Sequence, residues 1–202
     1  MEHLTSYYSR EELDTLGFAA LGTDVLVSRK ASIHSPQCIH LGNHVRIDDF
    51  AVLTCGPGAE VRLGDHVHVA AHAALYGGGG ILIEDFVTVS GRTSIYSVTD
   101  DYSGEVLTNP TVPAHLTGVI RQRVLLSRHV VVGAGSVILP GVTIGEGSAT
   151  GAMTLVNRDL GPWGIYIGVP ARLLRPRSRG LLAAEAELRA LEAKDDTAMG
   201  GK

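Results

Sequence analysis

Cut into sixes, residues 126–161 read LSRHVV VGAGSV ILPGVT IGEGSA TGAMTL VNRDLG. Their first places hold Leu126, Val132, Ile138, Ile144, Thr150 and Val156. Gly133, Gly145 and Gly151 follow three of them, and the fifth place is small or β-branched at Val130, Ser136, Val142, Ser148 and Thr154. An apolar side chain every six residues fits neither a helix, with its period of 3.6, nor an alternating strand. It fits a chain that turns a corner every six residues, so that three sixes close one triangular coil and Leu126 stacks beneath Ile144.

Upstream the same period returns at LGNHVR (41–46), IDDFAV (47–52), LGDHVH (63–68), VAAHAA (69–74), LYGGGG (75–80), IEDFVT (83–88), VSGRTS (89–94) and IYSVTD (95–100). Gly56-Pro57-Gly58 and two residues before Ile83 interrupt it, which makes these coils slightly longer, and such bulges redirect side chains near sites. This is a hexapeptide repeat, and the chain resembles the left-handed parallel β-helix acyltransferases. The resemblance implies an all-β fold, a left-handed parallel β-helix with short N- and C-terminal helices. We divide the chain into an N-terminal helical cap over 1–22, a β-helix over 23–161 and a C-terminal extension and helix over 162–202.

The chain has 202 residues, 45% of them hydrophobic, enough to bury one core. Its 25 glycines and 5% aromatics suit narrow coils with tight corners. A formal charge of −4 argues against nucleic acid as a partner. Cys38 and Cys55 lack a framework spacing and read as free thiols in a reducing cytoplasm. With neither a leader pattern nor a long apolar run, a soluble cytoplasmic protein without membrane insertion is expected.

Ser9-Arg10-Glu11-Glu12 has the capping-box pattern, and Leu13, Leu16 and Phe18 give the short helix after it an apolar face to cover the open first coil. At the other end, Ser178 to about Lys194 reads as a helix with a stripe at Leu181, Ala184, Leu188 and Leu191, and the tail DDTAMGGK is expected to fray. Residues 101–122 carry no repeat. Their Tyr102, Leu107, Val112, Leu116 and Val119 favour an ordered arm reaching toward a neighbouring subunit, disorder being the alternative.

In acyltransferases of this type coenzyme A lies along a groove between coils. The resemblance places Ala134 of VGAGS and Ala152 of TGAMT where the pantetheine arm needs small side chains. It places Asn157 and Arg158 of VNRD near the adenosine, and Arg172 and Arg175 of GVPARLLR near the phosphates. The residues alone point the same way: Arg172, Arg175, Arg177 and Arg179 fall together without an acid among them, as a phosphate-rich ligand requires. A solvated basic segment is the competing reading.

For catalysis the sequence departs from galactoside and maltose O-acetyltransferases, which carry a histidine in a segment resembling I-Y-T-x-T-H. Here Ile95-Tyr96-Ser97-Val98-Thr99-Asp100 puts Asp100 at the histidine position. A sugar hydroxyl needs a base such as imidazole, whereas a neutral amine attacks a thioester unaided and loses its proton afterwards. Asp100 therefore points to N-acylation of an amino sugar, with Asp101 shaping the loop; two aspartates that merely turn a corner are the alternative. YYSREEL, RIDDF, GGGG, TDDYSGE and NPTVP also resemble bacterial acyltransferases of O-antigen and lipopolysaccharide pathways, including those acting on nucleotide-linked 4-amino-4,6-dideoxyglucose.

His44, His66 and His129 share one column with Phe86, an outer corner, while His72 sits between Phe50 and Arg92 and is the second choice for the base, ahead of His68 and His115, exposed polar filler being the alternative for each. The expected acceptor site comprises Asp100, His72, Arg92, Asp101, Tyr102 and His115. The γ-class carbonic anhydrases share this fold and bind zinc through a His-x4-His pair, which is missing here, so no metal is expected. The resemblance thus implies an acetyl-CoA-dependent N-acetyltransferase of a nucleotide-linked amino sugar, built as a homotrimer with sites between subunits. A galactoside-type O-acetyltransferase and a non-catalytic scaffold are the rivals.

Overall fold

A computed structural model describes residues 6–199, with side chains through residue 194. The chain winds into a parallel β-solenoid of about 7 turns, in agreement with the left-handed β-helix expected from the repeat. Three sheets form its three faces. The first face stacks Ala20–Leu21, Ile39–Leu41, Val61–Leu63, Ile81–Ile83, Val124–Leu126 and Thr143–Ile144. Within it Leu41 pairs with Leu63, Leu63 with Ile83, Ile83 with Leu126 and Leu126 with Ile144, the column that the sixes predict. The second face runs from Leu26–Val27 to Gly164–Ile167 and is closed by an antiparallel strand, Arg172–Pro176. The third runs from Ser32–His34 to Leu155–Val156.

First-place residues point inward because a corner every six residues gives each face the same phase. Leu126, Val132, Ile138, Ile144 and Val156 are fully buried. Fifth-place hydroxyls are buried too and serve the corners. Ser136 Oγ and Thr154 Oγ1 both donate to the Gly151 carbonyl, and Ser148 Oγ donates to that of Gly161. Corner carbonyls that no strand can pair are satisfied in this way.

Each corner needs a residue with left-handed φ. At the first corner these are His44, His66, Phe86 and His129, with φ between 55° and 63°. Side chains there project outward, and the four rings stack along the solenoid at centroid spacings of 4.6, 4.8 and 5.1 Å. The second corner holds Phe50, His72 and Arg92 and continues at Gly135 and Met153. Glycines Gly58, Gly80 and Gly141 occupy the third. Every lengthening of the coils falls there, including the 101–122 segment.

Helix α1 (Arg10–Thr15) has the full capping box: Glu12 N reaches Ser9 Oγ, and Ser9 N donates to the Glu12 carboxylate. Leu13 on its inner side is buried in the core. The first parallel strand begins at Ala20, inside the segment assigned to the cap, because Ala20 and Leu21 already pair with His40 and Leu41. Cys38 and Cys55 are not free thiols: they form a disulfide. Cys38 precedes the first-face strand Ile39–Leu41 and Cys55 ends the third-face strand Val52–Cys55, so both flank the third corner, with Cα atoms 6.2 Å apart, within disulfide reach.

Helix α2 (Leu181–Met199) runs beyond the expected end, so most of the tail that was expected to fray is helical; its last three residues lie outside the described residues. Its inner stripe is Leu181, Glu185, Leu188 and Glu192, not the apolar one expected, and Ala184 and Leu191 are exposed. The reason is the ring column beneath it. Glu192 lies 2.8 Å from His66 Nε2 and 3.9 Å from His44 Nε2, and Glu185 binds His129 Nε2 at 2.8 Å and Arg128. Burial pushes the Glu185 carboxyl up, but the His129 hydrogen bond and the Arg128 charge outweigh it and hold the group below its ordinary value.

Candidate active site

The candidate residues fall at two corners. His72 and Arg92, both exposed, stand one coil apart at the second corner, where the Arg92 amide donates to the Ala71 carbonyl. Ala134 and Ala152 continue that column, since Met153 N donates to Ala134 O and Gly135 N to Gly91 O. Both alanines are exposed, and the Met153 sulfur lies beside them, 2.5 Å from where a Cβ on Gly135 would sit. His72 stacks on Phe50 at 4.9 Å, and its imidazole makes no side-chain hydrogen bond among the described residues.

Asp100 lies past the third corner, at the far end of the same face. A face of six residues at about 3.3 Å each puts the two corners about 15–20 Å apart. The chain therefore does not bring Asp100 to His72, Arg92, Ala134 or Ala152.

The third corner is built for insertion. Val98–Thr99 and Ile120–Arg121 pair antiparallel, Val98 opposite Arg121, and clip the 101–122 segment at its root. The segment carries its own turn at Ala114–Leu116, and Leu107 N donates to Leu116 O. Beneath it lies a cavity of about 440 Å3 that includes Asp100, Asn109, Val112, Val119 and Arg121. The Asp100 carboxylate and the Arg121 guanidinium have no partner among the described residues. Larger cavities of about 570 and 520 Å3 lie on the first face and hold none of the candidate residues. In the first of them Glu60 pairs with Arg62 at 2.8 Å and with His40 at 3.8 Å, and Arg123 stands beside that pair.

Of the other expected acceptor residues, Asp101 folds its carboxylate back on Ser103 Oγ and Ser103 N, bonds that hold it below its ordinary value. Tyr102 points to solvent and His115 is exposed on the Ala114–Leu116 turn. His68 is bound to Asp48 at 2.8 Å, in a cluster with Arg46 and Tyr7.

The four arginines separate into two kinds. Arg177 is drawn inward and donates to the carbonyls of His129, Gly147 and Ser148, and burial lowers its pKa. Arg179 covers the Trp163 ring at 4.9 Å. Arg172 and Arg175 stay exposed on the closing strand and, like Arg158 and Asn157, have no side-chain partner among the described residues.

Sequence reasoning did not find Asn109 or Arg121, because their meeting with Asp100 depends on a strand pairing inside a segment without a repeat. Nor did it find Glu185 and Glu192, although with Leu181 and Leu188 they recur every three to four residues. Among the described residues His44, His66 and Glu192 are the one group whose ligand atoms all lie within 4.8 Å. Two imidazoles and a carboxylate are donors that zinc accepts, and here they dock α2 onto the solenoid as a carboxylate–imidazole contact.

No protein-family model matches the chain. It is 37% identical over 181 residues to a dTDP-4-amino-4,6-dideoxy-D-glucose acyltransferase of Escherichia coli, covering 90% of this chain and 94% of the relative. The crystal structure of AntD, an N-acyltransferase from Bacillus cereus, in complex with dTDP and 3-hydroxybutyryl-CoA, superposes with a TM-score of 0.88 at 43% identity. That match covers 94% of this chain and 100% of AntD. The galactoside O-acetyltransferase of E. coli K12 is 26% identical, covering 86% of this chain and 71% of the relative.

Proposed function

The chain belongs to the family of the dTDP-4-amino-4,6-dideoxy-D-glucose acyltransferases, and on that premise we propose that it transfers an acyl group from coenzyme A to the amine of a dTDP-linked amino sugar. The observation that carries this reading is the likeness over nearly the whole length to AntD, an N-acyltransferase studied with dTDP-4-amino-4,6-dideoxyglucose and coenzyme A. Asp100, in place of the histidine of hydroxyl-acylating relatives, supports it independently.

In this reaction the sugar nitrogen attacks the thioester carbonyl and forms a C–N bond. The tetrahedral intermediate collapses, the C–S bond breaks, and coenzyme A leaves as thiolate. One proton passes from nitrogen to that thiolate, by way of the Asp100 carboxylate or water. A backbone N–H of the coil stabilises the oxyanion. Pantetheine runs beside Ala134 and Ala152, Arg172 and Arg175 take the phosphates, and Asn157 and Arg158 border the adenosine. His72 and Arg92 line the acyl end, with Tyr102 and His115 on the loop above the acceptor. AntD has been crystallised with substitutions at a serine and at an aspartate ten positions later. In this chain the one serine with an aspartate ten positions on is Ser90, paired with Asp100. That spacing supports Asp100 at the reacting amine and adds Ser90, next to the second corner.

A site that needs both corners is completed by a second copy, which supports a homotrimer with catalytic sites between subunits and the 101–122 segment reaching across. The exposed Tyr102, Leu107 and Leu116 give that segment an apolar surface for the contact. Among the described residues no helix is long and apolar enough to cross a membrane. We place the reaction in the cytoplasm, where acyl-CoA and sugar nucleotides are made, and in surface-polysaccharide synthesis. A distant relative named as a lipopolysaccharide biosynthesis O-acetyl transferase supports the latter.

The test is thiol release from acetyl-CoA and 3-hydroxybutyryl-CoA against dTDP- and UDP-linked amino sugars and simple galactosides. Turnover confined to amino sugars is expected, and Asp100→Asn should slow it. Turnover with galactosides that Asp100→Asn leaves untouched would overturn the reading.

A further inference from the structure

Resting on that reading and deepening it, the geometry points to the cavity under the 101–122 segment as the acceptor pocket, with Arg121 as the residue that takes the diphosphate of the sugar nucleotide. In the larger cavity on the first face the one carboxylate, Glu60, is already taken by Arg62 and His40, which among the described residues leaves only the Arg123 guanidinium over. This cavity instead holds one carboxylate, Asp100, and one guanidinium, Arg121, neither with a partner among the described residues. The antiparallel clip fixes their relation: Arg121 lies opposite Val98, two residues before Asp100. A ligand that satisfies both carries an amine or ammonium at one end and an anion at the other.

Between the charges the walls are mostly apolar, formed by Val98, Pro110, Val112, Ala114 and Val119, and the one hydroxyl among them, Thr117 Oγ1, already donates to the Ala114 carbonyl at 3.1 Å. Asn109 adds one oriented donor. Its Oδ1 accepts from Thr111 N at 2.9 Å and from Thr111 Oγ1 at 2.6 Å, which turns the amide NH2 outward. An amino sugar that lacks a hydroxyl at C6 fits this set, with its amine at Asp100, its methyl on the valines and its diphosphate at Arg121. Guanidinium suits that last role because it matches phosphate oxygens two at a time. A volume of about 440 Å3 lies within the usual range for small-ligand sites.

Arg121 is exposed, and its strand pairing uses backbone atoms alone, so Arg121→Gln should fold. The experiment is calorimetric titration of wild type, Arg121→Gln and Arg121→Lys with dTDP and, separately, with coenzyme A, beside steady-state kinetics with dTDP-4-amino-4,6-dideoxyglucose. Arg121→Gln should weaken dTDP about tenfold or more, and Arg121→Lys less. Coenzyme A affinity should be unchanged, and KM for the sugar nucleotide should rise far more than kcat falls. Unchanged dTDP affinity, an equal loss for coenzyme A, or no dTDP binding by the wild type would overturn the pocket. The two readings fail separately. Amino sugars acylated with the same KM by wild type and Arg121→Gln leave the activity standing without the pocket. Weakened dTDP binding without acylation of any amino sugar leaves the pocket standing without the activity.

Discussion

Gly79→Ala places a methyl group at the root of the segment that carries Asp100. An ideal Cβ there would lie 2.2 Å from Ser97 O, 3.2 Å from Ser97 C and 2.9 Å from Gln122 N. All three are backbone atoms, so no side chain can swing aside. They are also the atoms that close the root: Gln122 N donates to Ser97 O at 2.9 Å, and Ser97 Oγ accepts from Gly79 N at 2.9 Å while donating to Tyr76 O at 2.8 Å. Relieving the contact means moving one strand of the clip by about 1 Å. Overpacking of that kind costs about 1–3 kcal/mol, and each hydrogen bond broken adds about 1 kcal/mol. For a chain of this size the sum lowers Tm by about 5–15 °C. Asp100 lies three residues beyond Ser97 and moves with the root, so kcat/KM should fall about a hundredfold. Thermal unfolding and the thiol-release assay on the same preparation read both effects. Gly161→Ala is the control, since its Cβ would meet only Tyr166 Oη, at 3.4 Å. A Gly79→Ala protein with Tm within about 2 °C of wild type and unaltered kcat/KM would refute the account of the third corner.

Glu185 makes the docking of α2 sensitive to acid. Its carboxyl is held below the ordinary value of 4.5, so its contribution is complete above that pH and is lost as pH falls through the lower folded value. Tm measured against pH should decline less on the acid side in Glu185→Gln than in wild type, and parallel curves would count against the contact. Ser148→Ala strips a donor from Gly161 O and an acceptor from Gly164 N, bonds of 2.6 and 3.3 Å. It should cost about 1–3 kcal/mol, measured by denaturant unfolding, with the closing hairpin protected less from hydrogen exchange. Arg177→Met should lower Tm while leaving coenzyme A affinity unchanged, because Arg177 serves three backbone carbonyls. Arg175→Gln should do the reverse, weakening coenzyme A with Tm preserved.

What could be read from the sequence follows from what repeats. The column Leu41, Leu63, Ile83, Leu126, Ile144 and the ring column His44, His66, Phe86, His129 were legible because coils of nearly constant length convert spacing directly into contact. Cys38 and Cys55 defeat that conversion: at 17 residues they fall short of register partners such as His34 and Thr54 or Ile39 and Val61, and they meet only because both flank the third corner. Where the period lapses, spacing carries no geometry. Arg121 meets the Asp100 cavity only through a two-residue antiparallel pairing, which 20 intervening residues without periodicity do not announce. The inner stripe of α2 was misread for a different reason. Of the apolar stripe only Leu181 and Leu188 face inward, because the surface that receives the helix is a row of imidazoles, and against imidazole a carboxylate is the complementary group.

The distribution of insertions over the corners explains where chemistry could arise. At the first corner the stacked rings and α2 fix the outline, so an extra residue there would break the column of His44, His66, Phe86 and His129 and the carboxylate–imidazole contacts it makes with Glu185 and Glu192. The second corner is equally regular through Phe50, His72 and Arg92, and on the proposed reading Ala134 and Ala152 border the pantetheine track there, which a bulge would block. The third corner has no such constraint. Gly58, Gly80 and Gly141 supply the left-handed turn without a side chain to stack, and residues can be added there while the three faces keep register. An acceptor pocket grown at that corner lies about 15–20 Å from the track on the same chain. On the proposed reading a single copy does not bridge that distance, and the third corner of one subunit would work against the second corner of another.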